Sequence, residues 1–470
     1  MARSPLPSRT CILLAWLILA GCTLASPTPT ATSGPSAVNG TRSPSPSPSP
    51  ISTSTQPAPI DLDGSALQGV SIQAWDAYAA GAADVFASQV ALFNKVNQWG
   101  IVVNPTSFGD YPSLFDAVNN TLGSGGGSPD LVAALPELAL TWNSSHSVVD
   151  LSPYLSDPTW GLGSDAIADI PPVFWSQDKI NGVQLGVPAQ RSAHFLFYNI
   201  TWAHELGFTA PPQTADEFRQ QACAANAFFR TDADPQNDGY GGWIVDTSWQ
   251  TTYSWLLAFG GGVADGTSYG FRTDPNLAAL QYIKGLFDDH CAWVSTEPTP
   301  FDSFARRSAL FVSGDLAEVP LAAESMSRLN NMDEWTLIPF PGPSGRVLVA
   351  YGPSYTVLKS TPVKQLAAWL FARWLLSSQN QAQWVESTGL FPLRDSVLPQ
   401  IGPYRAASPQ WEAAVSDLSL VEGVPQLASW RQVRYVLEDG AAVIFKVNTP
   451  LDQIPAALTN MDSMAQELNK

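Results

Sequence analysis

From residue 70 onward, apolar and polar positions fall into short repeating patterns. Val70, Ile72 and Ala74 alternate with polar neighbours and end at Trp75-Asp76, which predicts a strand feeding a loop. The following AADVFASQVALFNKVN carries Phe86, Val90 and Phe93 at helical spacing, and IVVN at 101–104 reads as a short strand. A glycine-rich turn then leads into LVAAL at 131–135, again a strand. Alternation of strand and helix predicts a parallel sheet covered by helices, since parallel neighbours require a crossover. Further along, an apolar run ends at Tyr198-Asn199, and Thr214 with Glu217 forms a capping-box signature for a helix through Phe218. Leu277, Leu280, Ile283 and Phe287 mark another helix, and Thr361-Pro362 is an N-cap and N1 pair before KQLAAWLFARWLL. LDQIPAALTNMDSMAQEL is a last amphipathic segment, and no fixed-period repeat suggests a solenoid or propeller.

The first 67 residues depart from this pattern. Arg3 and Arg9 precede the apolar run CILLAWLILAG, shorter than the roughly 20 residues of a membrane-spanning helix but suited to a cleaved signal peptide, residues 1–21. Leu19-Ala20-Gly21-Cys22 resembles the bacterial lipoprotein signal, which implies a lipid attached to Cys22 and an extracytoplasmic, membrane-anchored location. Residues 23–60 contain 9 Pro, 9 Ser and 7 Thr in 38 positions, too little apolar surface to offset the entropy of ordering them. Residues 22–67 therefore read as a tether, of which 23–60 could span on the order of 100 Å at ~3.1 Å per residue. The chain beyond residue 67 is long enough for two lobes with real cores.

Without Arg3 and Arg9 the chain keeps 21 basic against 41 acidic side chains. That balance excludes a nucleic-acid partner and disfavours binding through a broad anionic lipid surface. Of four cysteines, Cys11 leaves with the signal and Cys22 is the proposed lipid site. Cys223 and Cys291 then form either one disulfide or two buried thiols.

Catalytic and metal signatures are sparse. Four histidines, His146, His194, His204 and His290, have no metal-ligand spacing, and there is no H-E-x-x-H, G-x-S-x-G or close cysteine pair. LGSGGGS at 122–128 lacks the phosphate-loop pattern and leads into a strand, whereas such loops open a helix. DADPQNDGYGG at 232–242 partly imitates a calcium loop, but Val245 stands where the bidentate Glu belongs, so it reads better as a solvated Asx-rich turn. No metal or cofactor is expected.

Aromatic residues are more informative. The chain has 17 Trp, 12 Tyr and 21 Phe, and several fall in predicted turns beside small or polar residues: Trp75, Tyr111, Trp249, Tyr253, Trp255, Tyr351 and Tyr355. A sugar ring has apolar C–H faces and a rim of hydroxyls, so flat aromatic platforms flanked by carboxylates, amides and guanidinium groups suit it.

YPSLFDAVNNTLGSGGGSPDLVAA, GVQLGVPAQRSAHFLFYN, PPQTADEFRQQA, SWLLAFGG, ALFVSGDLA and AAWLFARWLLSSQNQAQWVESTGLFPLR, in that order, resemble the extracellular solute-binding proteins of ABC importers, the large sugar-binding lipoprotein family. The resemblance implies an α/β fold of two discontinuous lobes joined by a hinge: 68–188 with 348–390, and 189–347 with 391–470. It implies capture of a mono- or oligosaccharide, delivery to ABC permease subunits without chemistry, and a monomer by default. A glycerol-phosphate-type solute is the alternative, a carbohydrate-active hydrolase a remote one. Implied ligand-binding positions are Trp75, Asp76, Tyr111, Glu137, Arg191, Trp249, Tyr253, Trp255, Gly352, Phe391 and Arg394. Glu324 joins them because EVPLAAESMS departs from the usual family pattern after GDLA.

Overall fold

The computed structural model describes residues 60–124, 127–446 and 448–470; Cys22 and most of the proposed tether lie outside them. Two sheets organise this part. In the first, Val102–Ser107, Ser71–Asp76 and Leu131–Ala134 run parallel, with Ser354–Val357 and Val187–Pro188 added antiparallel at one side. Both faces are covered. Ile72 and Ala74 enter a core shared with Phe86, Val90 and Phe93 of the helix Ala80–Val96 and with the helix Pro362–Leu375. Leu114, Val118, Leu138 and Trp142, from the helices Tyr111–Ser124 and Pro136–Ser144, fill the other face.

The second sheet orders Ala292–Trp293, Trp243–Ile244, Phe311–Asp315, Ser192–Asn199, Gly345–Tyr351 and Phe340–Gly342; Trp335–Ile338 and Val421–Glu422 pair at its sides. The helices Ala215–Arg230, Trp249–Ala258, Asp274–Asp288, Trp430–Ile444 and Ile454–Leu468 bury their apolar stripes in this lobe. Thr214 and Glu217 make the reciprocal capping bonds that their spacing predicts. Cys223 and Cys291 are joined as a disulfide within this lobe.

The chain passes between the sheets through Ala189–Arg191, and again through Gly352 and Pro353. These passages lie against each other: the Ala189 and Gln190 amides donate to Pro353 O at 3.0 and 3.2 Å. At Gly352, φ is +153° and a Cβ would stand 2.4 Å from Gln190 O, so no other residue fits. A third passage follows the helix Ser378–Thr388, where the Phe391 amide donates to Arg191 O at 3.0 Å.

Two boundaries differ from the sequence reading. The strand Gly345–Tyr351 stays in the second sheet through Tyr351, because Ala350 and Tyr351 register with Ala193 and Ser192; sheet membership therefore changes at Gly352–Pro353, not at 348. Residues 60–67, placed in the tether by composition, pack on the first lobe. The Ile60 amide donates to Asp157 Oδ2 at 2.8 Å, and Leu67 is fully buried, because its apolar side chain has a core to enter. Among the described residues no helix is long and apolar enough to cross a membrane.

Candidate functional site

The two lobes meet around a chamber of about 210 Å³. The first lobe contributes Tyr111, Leu135, Pro136, Glu137 and Gln177; the second contributes Trp249, Gln250, Tyr351, Val424, Trp430, Arg434 and Tyr435, with Gly352 at the passage between them. Local sequence explains the placement. Pro136 opens the helix Pro136–Ser144 and sets Glu137 in its first turn, where a carboxylate suits the helix dipole. Ser248 caps the next wall: its Oγ accepts from the Thr251 amide at 3.3 Å, so Trp249 becomes the first helical residue. Trp430 and Arg434 share one face of their helix because they are four residues apart.

The second-lobe wall is aromatic. Trp249 meets Tyr351 and Trp430 edge to face at centroid distances of 5.3 and 5.6 Å. The first-lobe wall sets the polar groups of Tyr111, Glu137 and Gln177 beside Leu135 and Pro136. Arg434 Nη1 donates to Glu137 Oε1 at 2.9 Å, an ion pair that crosses from one lobe to the other and is nearly buried. Burial pushes the Glu137 carboxyl above its usual range, and Arg434 counters part of that rise. Burial and the nearby Glu137 charge push the Tyr111 hydroxyl up. Outside the chamber, the Arg431 guanidinium lies 4.6 Å over the Phe115 ring, a second contact between lobes.

A second, polar cavity of about 420 Å³ adjoins the chamber at Gln250, which lines both. His194 anchors it: Nδ1 is 2.6 Å from Asp315 Oδ1, and Nε2 is 2.6 Å from Thr251 Oγ1 and 3.4 Å from Asp246 Oδ2. Burial depresses the imidazole, but hydrogen bonds to Asp246 and Asp315 outweigh it and raise the pKa to about 9.

Tyr111, Glu137, Trp249 and Gly352 of the sequence-implied set come together in the chamber. The remaining eight do not line it. Trp75 projects from the strand face opposite Ile72 and Ala74 and packs on Phe108 at 5.1 Å, as period-two alternation requires. Asp76 Oδ1 accepts from the Tyr78 amide at 2.9 Å and from Ser107 Oγ at 2.7 Å. Arg191 is fully buried, ion-paired to Asp178 at 3.0 Å and donating to the carbonyls of Phe174, Gln190, Gly352 and Pro353. It fastens the passages together and is not a donor at the cleft floor. Tyr253 lies beneath Trp430 at 5.8 Å, and Trp255 is core, edge to face with Phe218 and Phe340. Glu324 is exposed on the helix Val319–Arg328. Phe391 is buried against Phe174 and Phe195, and Arg394 pairs with Asp169 at 3.2 Å. Gly352 lines the chamber, yet its missing side chain makes room for Gln190 O, not for a ligand.

Leu135, Pro136, Gln177, Gln250, Val424, Trp430, Arg434 and Tyr435 are the lining residues that the sequence reading missed. Only the helix Trp430–Ile444 carried a usable signal, with a Trp and an Arg one turn apart in SWRQVRY. The Asp232–Gly242 turn is self-bonded: the Asp234 amide donates to Asp232 Oδ1 at 2.7 Å and Asn237 Nδ2 to Asp232 Oδ2 at 2.9 Å.

Residues 88–415 match the family model described as bacterial extracellular solute-binding protein. The chain belongs to that family. No curated protein sequence matches it significantly. Solved structures share the fold of this solute-binding protein. The sugar-binding protein MalE from the phytopathogen Xanthomonas citri aligns with TM-score 0.72 and 20% identity over 85% of this chain and 97% of its own. The cyclic α-maltosyl-1,6-maltose binding protein from Arthrobacter globiformis gives 0.70 and 18% over 85% and 99%. UgpB from Mycobacterium tuberculosis, in complex with glycerophosphocholine, gives 0.67 and 16% over 84% and 98%. At such identities the likeness establishes the two-lobed fold and leaves the solute to the chamber's chemistry.

Proposed function

We propose that this solute-binding protein captures an uncharged carbohydrate between its lobes, hands it to the permease subunits of an ABC importer and leaves it chemically unchanged. The observation that carries the reading is the chamber itself: the aromatic wall of Trp249, Tyr351 and Trp430 faces the Glu137 carboxylate and the Gln177 amide. Aromatic rings suit the C–H faces of a sugar, while carboxylate and amide oxygens accept its hydroxyls. Sugar-binding relatives of the same fold support it. The lining offers one carboxylate, whereas glycoside hydrolysis uses a pair, which favours binding over chemistry.

The UgpB complex and the presence of Arg434 in the lining favour a second reading, a glycerol-phosphate-type solute. Against it, Arg191, Arg394 and Arg434 are each paired with a carboxylate, and a phosphate would have to displace one of them. Isothermal titration calorimetry with maltose, maltotriose and glycerophosphocholine decides. Saccharide binding is expected; tight binding of the phosphodiester with none of the saccharides overturns the carbohydrate reading. Cys22 is the proposed lipid site, holding the protein at the outer face of a bacterial membrane as a monomer. Labelled palmitate should enter the protein and not a Cys22→Ser variant.

A further inference from the structure

Gln177 is the lining amide whose donor and acceptor are both idle. It is 3% exposed, yet neither Oε1 nor Nε2 has a partner. A buried amide with an unmet donor and an unmet acceptor is uncommon in a native fold and points to an occupant that completes it. Its position is informative too. Gln177 and Val424 line the chamber and also a larger groove of about 910 Å³ that continues from it.

The groove lies between two hairpin tips, one from each lobe. Asn181, in the turn of the hairpin Lys179–Ile180 and Val183–Gln184, lines it from the first lobe. Gly266 and Thr267, in the turn joining Ala264–Asp265 to Ser268–Tyr269, line it from the second. Lys179 and Glu422 add a donor and an acceptor along its length. Beside the amide the wall is bare backbone: a Cβ on Gly423 would stand 3.4 Å from Gln177 Cγ and 3.5 Å from Nε2. A side chain at position 423 would therefore lie in contact with the Gln177 amide.

We infer that the solute is an elongated oligosaccharide, with a terminal ring in the aromatic chamber and its chain passing the Gln177 amide into the groove between the hairpin tips. The inference rests on the carbohydrate reading and adds length, direction and a specificity-determining residue to it. A glycosidic chain presents hydroxyls that both donate and accept, and so matches an amide that lacks one partner of each kind.

Calorimetry with linear gluco-oligosaccharides of one to six units, on the wild type and on Gln177→Leu and Gly423→Ala, tests it. Wild-type affinity should rise about tenfold once the chain is long enough to pass Gln177. Gln177→Leu removes the amide and Gly423→Ala covers it, and both should abolish that gain. The melting temperature of Gln177→Leu should hold or rise, because an unmet buried amide has gone; a merely structural glutamine would lower it. Affinity independent of chain length, or a gain that survives in both variants, overturns the inference and leaves carbohydrate binding intact. Absence of binding at every length overturns both.

Discussion

The passages between the lobes and the chamber beside them both bury polar groups, and they use them differently. At the passages, Arg191 donates to four backbone carbonyls, the Ser354 hydroxyl and the Asp178 carboxylate. In the chamber, the Gln177 amide has neither its donor nor its acceptor met. Burying a polar group costs stability unless it is hydrogen-bonded, so the first cluster stabilises the fold and the second holds capacity in reserve for a guest. Gln190 Nε2, Arg191 Nε and Ser192 Oγ at the passages are unmet as well, so what distinguishes the chamber is an amide idle at both its donor and its acceptor.

The largest effect that would test this contrast is at Arg191. Arg191→Met should lower unfolding stability by about 3–5 kcal/mol, because Asp178 is left buried and unpaired, and adding Asp178→Asn should recover part of the loss. Denaturant titration measures both. Retained stability with lost solute affinity would instead make Arg191 a ligand contact and dissolve the contrast.

His194 provides the next test. Its folded-state pKa of about 9 lies above the ordinary 6.5, so its contribution is fully present below pH 6.5 and is lost as pH rises through 9. The loss should approach about 3 kcal/mol across that window, and His194→Gln should flatten the stability profile there. A wild-type profile already flat between those limits would remove the imidazolium from the account.

Tyr351→Phe should show the reverse of Arg191→Met. Stability should change by less than about 0.5 kcal/mol, while saccharide affinity falls about five- to tenfold, as expected when the hydroxyl beside Asp315 and Gln250 can no longer serve a guest as well. Smallest is Arg431→Ala, which removes the stacking on Phe115 at the mouth. It should shift lobe closure by about 0.5–1 kcal/mol, seen as a larger radius of gyration in solution scattering without solute.

The first sheet was readable from the sequence because Ile72, Ala74, Phe86, Val90 and Phe93 carry unambiguous periods. The Thr214–Glu217 and Thr361-Pro362 signals likewise mark real helix starts. The site was less readable, for a physical reason. Arg191, Arg394 and Asp76 have the chemistry of ligand contacts, but Arg191 Nη1, Arg394 Nη1 and Asp76 Oδ1 are engaged by groups distant in sequence, such as Pro353, Asp169 and Ser107. Trp249, Tyr253 and Trp255 read as loop aromatics because they stand beside small and polar residues in DTSWQTTYSWLL. Once helical, the three diverge: Trp249 faces the chamber, Tyr253 supports Trp430 and Trp255 enters the core. Gln177 leaves no mark in one dimension, since an idle amide is defined only by what surrounds it.

The strand Ser354–Val357 sits between Leu131–Ala134 and Val187–Pro188, although nearly 170 positions separate it from the latter. A fragment cut after Pro188 would keep both flanking strands and lose the one that joins them, leaving open edges prone to sticking to other chains. Isolating either half for study would therefore need a spliced or permuted gene, not a simple truncation.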